Sequence, residues 1–261
     1  MIIREAQPGD IEPALAAMSE AFGLQLRAPT VHTLVAASPD GVLLVAEEDG
    51  AVVGTAASVG FGPTAWLGGV TVAPQARGNG LGRQLTEAAI DALGERETIL
   101  LLATPMGQPV YEKLGFEVEG TYRVFSSGSR RPEKTVELRD VTPDDHDAIR
   151  ALDRRATGED RSLAIDASLE GAKATPDLKA VALNPPWPAL PIIGDPQAAT
   201  TLLTSLIEPG LRIAVPDENT DAVNLLRLLG REQRTVARMR RGPAVDWRPD
   251  EVWGVFSLFF G

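Results

Sequence analysis

The chain has 261 residues, 44% of them apolar, enough for one large domain or two ordinary ones. Its net charge of −11 excludes nucleic acid as a main partner, because a phosphate backbone needs a basic face. With no cysteine and only His32 and His146, disulfides, thiolate nucleophiles, cysteine-ligated zinc and a histidine-rich metal site are excluded too.

In chain order, Ile2–Arg4 reads as a strand. Pro8-Gly9-Asp10 then caps a helix to about Phe22, with Ile11, Leu15 and Met18 on its apolar face. Gly41–Ala46 and Val52–Ser58 are strands joined through Asp49-Gly50, a strong hairpin signal. Trp66–Val72 is the next strand. After it comes a helix with Leu81, Leu85, Ala88, Ala89 and Ala92 on one stripe. Thr98–Ala103 is an apolar strand, Pro109–Leu114 a short helix ended by Gly115, and Glu117–Phe125 a strand. Met1–Asp10 lacks the apolar run of a signal peptide, and Val252–Phe260 has half the length of a membrane span. A cytoplasmic protein without membrane contact is expected, with Val252–Phe260 as a final buried strand.

The start of the chain recurs. Leu138-Arg139-Asp140-Val141-Thr142-Pro143-Asp144-Asp145 echoes Ile3-Arg4-Glu5-Ala6-Gln7-Pro8-Gly9-Asp10, across a linker-like stretch that includes Ser126–Glu133. Leu228-Leu229-Gly230 likewise echoes Lys113-Leu114-Gly115. A duplicated unit accounts for both, with boundaries at 1–127, a linker at 128–135 and a second unit at 136–261.

Between Val72 and the helix at Leu81 the chain reads Ala73-Pro74-Gln75-Ala76-Arg77-Gly78-Asn79-Gly80, with Gly82 just beyond. Glycines let backbone N–H groups converge on one anion, and the helix behind adds about half a positive charge. A phosphate or pyrophosphate suits such a loop. The G-x-G-x-x-G spacing of a dinucleotide site fails, because Arg83 or Leu85 stands where the third glycine should be. A P-loop fails as well, since Gly82 is followed by Arg83-Gln84. The counterpart in the second half, Ile193-Gly194-Asp195-Pro196-Gln197, holds a carboxylate that would repel phosphate.

Arg77-Gly78-Asn79-Gly80-Leu81-Gly82, preceded by Val-x-Val-x-Pro, resembles the coenzyme A signature of the GNAT N-acetyltransferase superfamily. Tyr111-Glu112-Lys113-Leu114-Gly115-Phe116 is similar to that superfamily's Tyr-x-Lys-x-Gly-Phe segment. In the second half Asn219, Ala222 and Leu229-Gly230 match its Asn-x-x-Ala helix, but Leu226 replaces the tyrosine and Arg231 the phenylalanine. The resemblance therefore implies an α/β (α+β) fold of two tandem GNAT-like domains. Each would be a mixed, mostly antiparallel sheet flanked by helices, splayed at the coenzyme A site in the first, with the second degenerate.

It also implies acetyl-CoA as cosubstrate and an amine, on a small molecule or a protein, as acceptor. Val70, Thr71 and Val72 would line the pantetheine arm. Arg77, Gly78, Asn79, Gly80, Leu81, Gly82 and Arg83 would hold the pyrophosphate. Thr104 stands where the family often has asparagine and would offer a polar group to the cofactor. Tyr111 matches the family's general acid, in a direct attack by amine on thioester. For the base, His32, Glu47 and Glu48 are the candidates, none with a specific signal. An acyl-CoA sensor, an interaction protein, or an enzyme using another acyl-CoA are the rival readings.

Overall fold

The computed structural model describes residues 1–22, 35, 38–129 and 137–261. The first half follows its local signals closely. Strand β1 (Ile2–Glu5) leads through a 3-10 turn at Pro8–Asp10 into helix α1 (Ile11–Phe22). Strands β2 (Gly41–Glu48) and β3 (Ala51–Phe61) meet at Asp49 and Gly50, both at positive φ, as a tight hairpin turn requires. Then come β4 (Thr64–Val72), α2 (Leu81–Ala92), β5 (Thr98–Ala103), α3 (Gln108–Glu112) and β6 (Glu117–Ser127).

Helix α2 buries Leu81, Leu85, Thr86 and Ala89. Ala92 of the expected stripe is exposed, and Leu93 takes the next core position. Thr86 enters the core because its hydroxyl returns to the Gly82 carbonyl one turn back, at 2.8 Å.

The second half contains β7 (Arg139–Asp140), α4 (His146–Thr157), α5 (Ser162–Asp166), β8 (Lys173–Ala174), β9 (Ala180–Ala182), β10 (Ile192–Gly194), α6 (Pro196–Leu206), β11 (Arg212–Pro216), α7 (Thr220–Leu229) and β12 (Gly230–Arg241). Its opening repeats a device of the first half. Arg4 forks onto Asp10 at 2.6 and 3.1 Å, and Asp10 accepts from the Gln7 amide; Arg139 forks onto Asp145 at 2.7 and 2.8 Å, and Asp145 accepts from the Thr142 amide. In each case one carboxylate caps the turn entering the helix and ties it to the preceding strand.

The sheets depart from one per half. A mixed eight-stranded sheet runs β1-β2-β3-β4-β5-β12-β6-β11, and β7 to β10 form a separate antiparallel sheet of four. Among the described residues, only β4–β5 is parallel in the large sheet. Strand β12, from the end of the second half, lies between β5 and β6 and pairs antiparallel with both. Strand β6, from the first half, in turn lies between β12 and β11. A boundary at 128–135 therefore does not divide the sheet, and most of that stretch lies outside the described residues.

The cores show the same exchange. Met239 of β12 packs with Leu67, Leu81, Leu85, Leu101 and Phe116 of the first half. Phe125 of β6 packs with Leu202, Leu203, Ile213, Leu226 and Trp253 of the second. A third cluster joins the halves face to face, with Trp66, Leu100 and Tyr122 against Ile149, Ile165, Phe256 and Phe260.

Val252–Phe260 is buried for most of its length but is not a strand. It makes one isolated bridge, Val252 to Ile193, and at Gly254 the backbone runs so close to Leu190 that a Cβ would fall 2.2 Å from its carbonyl oxygen. No helix among the described residues is long and apolar enough to cross a membrane.

Candidate active site

The site begins where β4 and β5 part. They pair only through Thr64–Thr98, Ala65–Ile99 and Trp66–Leu100, after which β4 continues to Val72 and β5 to Ala103 without meeting. A bulge drives them apart. The β3–β4 register shifts between Thr55 and Ala57, opposite Gly69, which has φ +60°. Thr55 fixes the bulge by donating its hydroxyl to the Gly69 carbonyl at 2.7 Å, and its Oγ1 also lies 2.8 Å from that of Thr71.

The Ala73 amide donates to Val53 on the β3 side at 2.8 Å. By strand alternation, Val72 and Val70 turn their backbone groups to the open edge facing β5. The result is a stretch of unpaired sheet edge inside the molecule, shaped to accept an extended, amide-bearing ligand. Arg77 already uses part of it, since its Nε donates to the Val72 carbonyl at 2.9 Å.

At the mouth of this wedge sits the glycine loop. After a 3-10 turn at Pro74–Ala76, Gly78 and Gly80 take φ +87° and +78°, and Gly80 is the N-cap of α2. A Cβ at either position would meet no atom within 4 Å, so glycine is required there by conformation and not by space. Gly82 differs: a Cβ there would sit 3.6 Å from Val72, an ordinary contact. From Gly78 through Arg83 no amide finds a backbone carbonyl among the described residues, and the first to do so is Gln84, on Gly80 at 3.1 Å. Unpaired amides at a helix N-terminus are an anion site.

The corresponding place in the second half is filled from within. Asp195 caps α6, accepting from the Gln197 and Ala198 amides at 3.1 and 3.2 Å. Leu226, which like Tyr111 precedes a glycine by four residues, is fully buried in the apolar core.

Tyr111 stands on the short helix α3, whose length Pro109 and Gly115 (φ +84°) limit. Its ring is buried with Leu67, Leu101 and Ala103, the strands of the wedge, and meets Phe116 edge-on at 6.0 Å. The hydroxyl has no hydrogen-bond partner among the described residues. Burial pushes its pKa up to about 12, which keeps the phenol protonated. Thr104 is half-buried at the end of β5, and its hydroxyl accepts weakly from the Gly107 amide at 3.3 Å.

Residues 39–118 match the family model described as the acetyltransferase (GNAT) domain. Residues 39–118 are a GNAT acetyltransferase domain. The uncharacterized N-acetyltransferase YitH of Bacillus subtilis is 36% identical over 105 residues, 39% of this chain and 37% of that protein. The match thus spans little more than a third of that relative. The crystal structure of a candidate acetyltransferase from Pyrococcus horikoshii superposes over 100% of this chain and 95% of its own, with TM-score 0.87 at 23% identity. A GCN5-related N-acetyltransferase from Anabaena variabilis gives TM-score 0.52 at 14% identity, over 92% of this chain and 72% of that one. At these identities the two structures share its fold.

Within and around the GNAT domain, the wedge, the loop and Tyr111 come together, while other expected residues do not join them. The Thr71 side chain is buried against Thr55, away from the open edge. Leu81 sends its side chain into the core and Arg83 pairs with Glu87 at 2.9 Å, so both can serve the loop chiefly through their amides. Glu47 is tied to Arg4 at 2.7 Å on the far edge of the sheet, and Glu48 is exposed on the same hairpin. His32 lies outside the described residues. Sequence reasoning missed Thr55 and Gly69, the pair that sets the splay; the signal was Gly68-Gly69 inside an otherwise apolar strand.

Proposed function

We propose that this chain is an acetyl-CoA-dependent N-acetyltransferase whose active site is the first-half wedge. One observation carries the reading: an unpaired anion cradle opens directly onto an unpaired strand edge, with a protonated, unpartnered phenol beside it. The Gly78–Arg83 amides would hold the pyrophosphate and the helix dipole of α2 would favour it. Val70 and Val72 would align the pantetheine arm through their amides, the Val72 carbonyl being shared with Arg77.

Bound acetyl-CoA supplies an acetyl thioester and a thiolate leaving group. This chain's part is to place donors where charge develops. The amide near the bulge, at Val70, faces the position of the thioester carbonyl, and Tyr111 Oη holds the proton for the departing sulfur. The acceptor is a primary amine, attacking directly.

The second half is read as a degenerate copy that supports the first. Asp195 occupies the amides that the first half keeps free, and Leu226 has no proton to give. A pure acyl-CoA sensor would need the cradle but not Tyr111; an unpartnered hydroxyl on a ring packed against the wedge strands favours the enzyme.

The cradle is tested by Gly80→Val. A valine at φ +78° is strained and the loop must rearrange, so acetyl-CoA affinity measured by calorimetry falls at least tenfold. Unchanged affinity overturns the reading.

A further inference from the structure

The wedge has two faces. Leu67 points to the α2 face with the cradle and Tyr111, while Trp66 points to the opposite face, against the second half. Gly68 alternates with Leu67 and so lies on Trp66's side, just past the last β4–β5 pair. Its neighbour there is the segment Ser257–Gly261. A Cβ at Gly68 would fall 2.4 Å from the Phe259 carbonyl oxygen and 2.6 Å from its Cα. One at Gly261 would fall 2.5 Å from the Trp66 ring. The segment crosses the apex of the wedge with its backbone in direct contact.

It is held there from several sides. Phe260 is buried against Phe61 at 6.0 Å, Phe256 at 5.8 Å and Trp187 at 6.2 Å between ring centres. The Gly261 carbonyl accepts from Arg161 Nη1, and Arg161 is itself fixed by Asp153 at 2.5 Å and lies over the Phe256 ring. The same loop grips β4 directly: buried Glu159 accepts from Trp66 Nε1 at 2.8 Å and Thr64 Oγ1 at 3.0 Å. The second half thus fixes both the paired end of β4 and the cover over its apex.

The α2 face of the wedge strands is packed by Leu81, Leu85, Tyr111 and Phe116, which leaves the face that this segment borders as the approach for an amine. We infer that Ser257–Gly261 is a strap forming the acceptor-side wall of the wedge, which excludes water and bulky amines and so sets acceptor selectivity. The inference rests on the wedge being the acetyl-transfer site. A wall of backbone and aromatic rings at the apex favours a slim, uncharged stem next to the reacting amine.

Two variants test it by different routes. Gly68→Ala pushes the strap off β4, and Phe260→Ala loosens it from the far side without touching the wedge. Hydrogen–deuterium exchange should show the Ser257–Gly261 amides exchanging at least tenfold faster in both. With acetyl-CoA alone, thiol release to water should rise several-fold. With methylamine and benzylamine as probes, the kcat/KM ratio should move at least tenfold towards benzylamine, while acetyl-CoA affinity in Phe260→Ala stays within twofold. Unchanged strap exchange in Gly68→Ala overturns the contact. Faster exchange with unchanged hydrolysis and amine ratio overturns the selective role. Failure of the parent protein to bind acetyl-CoA would instead remove the reading of the wedge, and the exchange result would still decide the contact.

Discussion

Tyr111 and Leu226 each stand four residues before a glycine that leads into a long strand, and on the proposed reading their difference concentrates the chemistry in one side chain. A phenol buried in apolar surroundings stays neutral, which is the state a proton donor needs. Because its pKa is raised to about 12, its titration lies above the usual assay range. Tyr111→Phe should therefore lower kcat by roughly 10²-fold, as for removal of a positioned acid, with the KM for acetyl-CoA little changed. The alkaline limb of the parent's pH–rate profile should not fall before about pH 11 on its account. Steady-state thiol release from pH 6 to 10.5 measures both. The phenol was legible from sequence because tyrosine, lysine, glycine and phenylalanine recur at fixed spacing. Thr55 was not, since its role depends on a register shift that brings the Gly69 carbonyl within reach of its hydroxyl.

At the scale of elements, the two helix entries at Asp10 and Asp145 are the clearest repeated feature. Arg4, through its side-chain hydrogen bonds, holds the Asp10 carboxyl down at about 2, and Arg139 holds Asp145 well below the usual carboxylate range. A depressed folded-state pKa contributes stability that is present above the ordinary value near 4 and is lost as pH falls through the folded one. Asp10→Asn and Asp145→Asn should each lower the melting temperature at pH 7, and the gap to the parent should close progressively between pH 4 and pH 2. Thermal unfolding followed by circular dichroism across that range checks the sign. These elements were readable because their causes are local: a capping carboxylate, an Asp-Gly turn, an apolar run bounded by glycine. Val252–Phe260 was misjudged as a strand because apolar content alone signals burial and says nothing about pairing. The segment is held by the packing of Trp253, Phe256 and Phe260 and not by a ladder.

The whole molecule is organised by something no local pattern carries. Strand β12 sits between β5 and β6 although over a hundred residues separate it from either along most of its length. Sequence periodicity locates such a strand but not its partners, since both halves offer the same alternating edges. A fragment of residues 1–129 lacks the strand that joins β5 to β6 and loses Met239 from its core. It should fail to fold alone, giving no cooperative melt, while co-expression with residues 130–261 should restore a stable complex. Size-exclusion chromatography and thermal melts separate the outcomes; an independently folded 1–129 fragment would show that the shared sheet is dispensable.

The position of β12 also imposes an order on synthesis. While the ribosome is still adding the second half, β5 and β6 have emerged with open edges and nothing to pair between them. Neither half of the sheet can close until Arg241 has cleared the exit tunnel, so folding of the wedge waits for synthesis of the second half as far as β12. During that interval two exposed strand edges invite pairing with neighbouring nascent chains.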